Sequence, residues 1–164
     1  MDWYQMGQEL RGRISGWRLE FGTVNAVGVW FYSLKTDRYL YLLRNDPRYP
    51  GTWGLPGGKT EAGETLIDAI TRECNEEMAC MPDYIRMVPL EQFTTLDGNF
   101  VYHTFFCCIA DEFAPTLNHE HLGYAWIDSM SWPKPMHPGL WNTVNFDAVR
   151  GKIESIKTSV QISQ

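Results

Sequence analysis

The chain is short of positive charge. Lys and Arg together number 14 against 20 Asp and Glu, a formal net charge of −6 at pH 7. No block of Lys or Arg forms a track for a phosphate backbone, which argues against a non-specific nucleic-acid binder. No apolar run approaches the ~20 residues of a spanning helix. The first residues, MDWYQMGQEL, lack the basic-then-apolar pattern of a secretory signal. These absences predict a soluble, cytoplasmic protein with no membrane partner. Cysteine is scarce, and Cys74, Cys80, Cys107 and Cys108 contain no C-x-x-C pair, which argues against a zinc site. They read as small buried or half-buried thiols in a reducing compartment. The adjacent Cys107 and Cys108 should point to opposite faces of a strand. Repeats, low-complexity tracts and any sign of a second domain are also missing.

What is present is enough to build a core. The 164 residues are 44% hydrophobic and 14% aromatic, which suits one globular domain. Residues 1–22, polar and aromatic, form an N-terminal extension of unassigned structure, with a short helix or edge segment around Trp3 to Arg13. The run VNAVGVWFYS, Val24 to Ser33, predicts a buried strand. Lys35-Thr36-Asp37 makes a turn, and Tyr39 to Arg44 is the return strand. Asn45 to Gly58 is a loop rich in Pro and Gly. A helix follows over roughly 64–79. Ile85 to Thr94 and Asn99 to Ala110 are strands around the Asp97-Gly98 turn. A short strand covers Tyr124 to Ile127, and a last helix covers about 140–157. Strands on both sides of one helix, with a second helix at the end, predict an α/β fold with a mixed sheet between helices.

The helix after the Gly-Gly turn carries the chemistry. Glu73, Glu76 and Glu77 fall within an arc of about 100°. Ile67, Ile70, Cys74 and Met78 form a neighbouring stripe suited to burial against a sheet. Like charges at i,i+4, such as Glu73 and Glu77, repel. A chain that keeps them together is expected to hold something positive, and a hard divalent cation with oxygen ligands fits. A solvated acidic face is the ordinary reading of a glutamate-rich helix, so spacing has to decide.

From Gly58 there are five residues to Glu64, then seven to Arg72-Glu73-Cys74-Asn75-Glu76-Glu77. This spacing resembles the Nudix box, the signature of Nudix hydrolases. The lead-in, Trp53 and Leu55-Pro56-Gly57-Gly58, resembles the family's as well. Ala79 stands where the family pattern has a glycine, at the point where the helix ends and the chain turns. The resemblance covers roughly residues 24–130 and implies a Nudix-type α/β/α sandwich.

The resemblance also implies a reaction. Water attacks a phosphorus of a nucleoside diphosphate linkage, which calls for positioning and charge neutralisation. Glu73, Glu76 and Glu77 would be Mg²⁺ ligands, with Mn²⁺ as a substitute and the Gly58 carbonyl completing the site. Glu64 would be a further ligand or an anchor, and Arg72 would orient the carboxylates. The loop Asn118-His119-Glu120-His121, ahead of Trp126, offers Glu120 as a base or extra ligand. His121 competes for that role, since its neutral form takes a proton near neutral pH. It lies where GDP-mannose glycosyl hydrolases of the superfamily carry a histidine. Arg44 and Lys59 are candidate phosphate contacts, each against a plain surface reading. Trp53 could pack a nucleobase, although core or lid is the commoner use of such an aromatic. Trp3, Trp17, Trp132 and Trp141 could line a pocket or a homodimer interface, with core packing the default. His103 and His137 read as structural or surface residues.

The expected substrate is a small nucleotide, a nucleoside triphosphate or similar, because WGLPGGKTEAGE looks most like MutT-type members. Thr95 and Leu96 stand where ADP-ribose hydrolases often have a proline, and Tyr102 is the nearest match to a tyrosine common in dinucleoside polyphosphate hydrolases. A nucleotide-sugar hydrolase, and then a non-catalytic nucleotide-sensing module, are the alternatives.

Overall fold

The run Val24–Ser33 forms β1, the middle of a seven-stranded sheet, in the computed structural model, which describes residues 23–163. β1 pairs in parallel with β6 (Phe100–Ile109), from Val24 opposite Phe100 to Ser33 opposite Ile109. β5 (Arg86–Thr94) runs antiparallel to β6. β2 (Arg38–Arg44) returns from the Lys35–Asp37 turn and pairs antiparallel with β7 (His121–Asp128). The sheet is mixed, as expected.

β1 and β6 are covered on both faces, which explains their unbroken apolar sequences. Val27, Val29, Phe31, Phe105 and Cys107 face helix α1 (Leu66–Met78). Trp30, Tyr32, Phe106 and Cys108 face α2 (Pro138–Val144) and α3 (Asp147–Ile162). The result is a three-layer α/β/α sandwich. The two adjacent cysteines point to opposite layers, and all four cysteines are free thiols. Among the described residues, no helix is long and apolar enough to cross a membrane.

The sheet opens where the site lies. β1 and β2 pair only beside their turn, at Tyr32–Tyr39 and Ser33–Arg38. Beyond that they diverge, and two very short strands fill the gap. β3 (Trp53–Gly54) joins β2, and β4 (Gly57–Lys59) joins β1 at Ala26–Gly28. The stretch 45–58, expected to be loop throughout, thus contains two strands.

Other expectations shift as well. The single last helix over 140–157 is two helices, broken at Asn145 and Phe146, and the second runs on to Ile162. Asn145 closes the first by donating its side-chain N–H to the Trp141 carbonyl at 2.7 Å. The strand expected over Tyr124 to Ile127 begins earlier, at His121. Trp132 packs against the core, whereas Trp141 is 41% exposed. The expectations for Trp3, Trp17 and the extension lie outside the described residues.

Candidate active site

Helix α1 starts on a capping box. Thr65 accepts the Asp68 N–H at 3.1 Å, and Asp68 accepts the Thr65 N–H at 3.2 Å. The buried stripe is Ala69, Ile70, Glu73, Cys74, Glu77 and Met78. Ile67, expected inside, is 40% exposed. The helix is rotated so that Glu73 and Glu77 occupy positions an apolar residue would normally take. Glu76 is exposed on the flank.

The helix ends at Ala79, whose φ of 62° lies in the left-handed region. An L-residue there is strained by its Cβ, and glycine is not. Ala79→Gly should therefore stabilise the fold by about 1 kcal/mol, raising Tm by about 2–4 °C in thermal unfolding.

Gly57 and Gly58 bring the backbone beneath these carboxylates. The Gly57 N–H donates to Glu77 Oε2 at 2.8 Å. A Cβ on Gly58 would lie 2.4 Å from Glu73 Oε1, so the Glu73 carboxylate rests directly on the Gly58 backbone. The two glutamates are buried, at 8% and 2% exposure. The carboxyl of Glu120, from the loop before β7, lies close enough to that of Glu77 to act on it. Burial first, then Glu120 and Glu73, push Glu77 up to about 9 despite the Gly57 N–H. Glu73 is raised too, by burial first, against the pull of Arg72.

Carboxyl groups gathered this closely repel when ionised, and a proton or a cation relieves the repulsion. Hard oxygen donors, a buried pair and a backbone without Cβ fit a divalent cation. Among the described residues, the side chains do not stand as a ready-made cluster of three ligands. Arg72 binds three carboxylates and a carbonyl. Its guanidinium donates to Glu64 at 2.6 and 3.1 Å, to Glu73 at 2.9 Å, to Glu76 at 3.4 Å and to the Lys59 carbonyl at 2.9 Å. Glu64 also accepts the Glu61 N–H at 2.7 Å. The arginine therefore ties the β4 backbone, Glu64 and the acidic helix together.

The remaining candidates lie around this centre. Lys59 is exposed at the end of β4. Trp53 is half-buried and packs against the core beside α2, bridging to Met136. Arg44 is half-buried, donates through Nε to Asp46 and packs its stem on Gly54. His121 opens β7 opposite Arg44 and is 9% exposed, so it is buried where a polar loop residue was expected. Burial lowers it to about 4 and keeps it neutral, and among the described residues its buried Nδ1 has no hydrogen-bond partner. His103 meets Asn25 at 3.1 Å, and His137 caps α2 by accepting the Gly139 N–H.

Burial alone would raise Asp46, yet Arg44 and the N–H groups of Tyr49 and Arg48 more than offset it and hold it at about 2. A depressed carboxyl adds stability above its ordinary value of about 4 and loses it as pH falls towards about 2. In urea unfolding, the native chain should exceed Asp46→Asn in stability at neutral pH, and the gap should close over that window.

The NUDIX domain family matches residues 22–146. The chain belongs to the Nudix family. A nucleoside triphosphatase, NudI of Escherichia fergusonii, is 30% identical over 101 residues, 54% of this chain and 72% of that one. The NUDIX domain of Shewanella oneidensis NrtR, solved with ADP ribose, superposes with a TM-score of 0.62 at 16% identity, over 82% of this chain and 90% of that one. A MutT/nudix family protein from Enterococcus faecalis gives 0.54 at 19%, over 68% of this chain and 46% of that one. The chain thus spans less than half the length of that last protein. The two structures agree with this one in fold. With every carboxylate of the Nudix box in place, the chain is a Nudix hydrolase.

Sequence reasoning missed three contributors to this centre. Thr65 and Asp68 were legible as a capping box. Gly57, whose N–H meets Glu77, was legible only as part of a turn.

Proposed function

We propose that the chain hydrolyses a nucleoside triphosphate or a similar small nucleotide, with Mg²⁺ or Mn²⁺, by attack of water at phosphorus. The observation that carries this reading is the buried Glu77 close to Glu120, above Glu73 on the Gly58 backbone. Glu73 and Glu77, with the Gly58 carbonyl, would hold the cation, and Glu76 could join from the exposed flank. A divalent ion there supplies charge for the phosphate oxygens and lowers the pKa of water.

The chain's own residues do the rest. Arg72 keeps Glu73 and Glu76 extended by charge-assisted bonds and fixes Glu64 as an anchor. Glu120, exposed on its loop, is within reach of solvent and serves as the base that takes a proton from water. Arg44 can exchange Asp46 for a phosphate, since both are anions and Arg44 is half-buried. Lys59 offers a second, exposed cation. The net charge of −6 suits a small substrate better than long RNA.

Attack at a sugar carbon with His121 as base has less support, because His121 is buried and held neutral down to about pH 4. A proton acceptor with so low a pKa is a weak base. A panel of nucleoside triphosphates, ADP-ribose and nucleotide sugars, assayed with Mg²⁺ and with Mn²⁺, tests the reading. Nucleoside monophosphate and pyrophosphate should appear from a triphosphate, and EDTA should stop the reaction. Free sugar with intact nucleoside diphosphate would defeat it.

A further inference from the structure

We propose that Asn45 is a positioning residue for Glu120, acting from the loop after β2. The inference rests on the role given to Glu120 above. Glu120 is exposed and sits on an irregular segment, so packing does not hold it in place. Hydrogen bonds do, from two directions.

One set comes from the acidic helix. The Thr116 N–H donates to the Met78 carbonyl at 3.1 Å, and the Asn118 N–H to the Glu77 carbonyl at 3.3 Å. These fill two of the carbonyls that a helix end leaves open. Asn118 Oδ1 then accepts the Glu120 N–H at 3.0 Å. This side registers the loop against the helix turn that carries Glu77.

The other set comes from Asn45 alone. Its backbone N–H donates to the Glu120 carbonyl at 3.0 Å, and its Nδ2 donates to the His119 carbonyl at 3.0 Å. Asn45 is itself fixed. Arg44 donates its N–H to the Thr52 carbonyl at 2.8 Å and accepts the Gly51 N–H at 2.9 Å. Successive carbonyls of the Glu120 segment are therefore clamped to a closed loop, 74 residues away in sequence. Without the side-chain donor Asn45 holds the Glu120 segment by its backbone N–H alone, and the carboxyl gains freedom to swing away from Glu77. A misplacement of about 1 Å can cost about a hundredfold in rate. Asparagine suits the place because it presents an N–H donor on a short side chain. Aspartate has the same shape and would set an oxygen against the His119 carbonyl.

The test uses the full chain. Hydrogen exchange is measured at the Glu120 and His121 amides in the native protein, Asn45→Ala and Asn45→Asp, and kcat and KM are measured on the best substrate of the panel. Both variants should speed exchange there about tenfold, the scale of one lost hydrogen bond, and leave the Arg72–Met78 amides unchanged. kcat should fall about tenfold with KM within about twofold. In a Glu120→Gln background, Asn45→Ala should cost nothing more, because its effect runs through the missing carboxylate. Unchanged exchange, or losses that simply add in the double variant, would overturn the inference. Native turnover in Glu120→Gln alone would refute the role given to Glu120, separately from any effect at Asn45, and the inference with it.

Discussion

Glu77→Gln should lower Mg²⁺-dependent turnover about a thousandfold, equivalent to about 4 kcal/mol, and leave the fold intact. The size follows from the position. Glu77 is 2% exposed and lies close to the Glu120 carboxyl, so it sits at the meeting point of the helix and the loop. The intact fold follows from chemistry. Glutamine keeps an oxygen for the Gly57 N–H and adds a donor for Glu120, while removing a carboxylate whose ionisation burial opposes. A second readout does not need turnover. Mg²⁺ should raise the Tm of the native chain by mass action and have little effect on the variant. Unchanged turnover in Glu77→Gln would remove the metal-site assignment.

Gly58→Ala should cost about a hundredfold in turnover with little loss of stability. A Cβ there would meet Glu73 Oε1 at 2.4 Å, Cδ at 2.6 Å and Oε2 at 2.8 Å. The Gly58 backbone itself is not left-handed, so the methyl group acts only by displacing that carboxylate. Glu73 is held in place by Arg72 at 2.9 Å and cannot swing aside without losing that bond. Gly57→Ala is the contrast. Its φ is 153° and a Cβ would lie 2.0 Å from the Val27 carbonyl oxygen, so β4 itself would have to move. That variant should lose stability along with activity. Kinetics and thermal unfolding on both variants separate the effects. Equal turnover in Gly58→Ala and the native chain would show that the place of Glu73 does not matter.

Much of this was legible because it is local. The long strands declare themselves by apolar runs, and the β5–β6 hairpin by Asp97-Gly98, whose glycine has a φ of 71°. The acidic helix declares itself by the spacing of Glu64, Arg72, Glu73, Glu76 and Glu77. What periodicity misjudged was the rotation of that helix. It sends carboxylates outward, yet Glu73 and Glu77 are buried while Ile67 is exposed. Glu73 is met there by Arg72 of the same helix at 2.9 Å, and Glu77 by the Gly57 N–H at 2.8 Å. β3 and β4 left no pattern because two or three residues carry no period. They exist because β1 and β2 diverge and leave backbone groups to pair. Likewise, nothing near Asn45 points to Glu120, since their contact depends on the closed sheet. His121 read as a loop residue because the bulge at its junction with Arg44, which buries it, is set by pairing across strands.

The most direct test follows the oxygen of water. The enzyme is run in ¹⁸O-water with Mg²⁺ on the nucleoside triphosphate it turns over best, and on a nucleotide sugar in parallel. The label should enter a phosphate oxygen of the products, with nucleoside monophosphate and pyrophosphate formed together. Label in a sugar hydroxyl, beside an intact nucleoside diphosphate, would contradict attack at phosphorus.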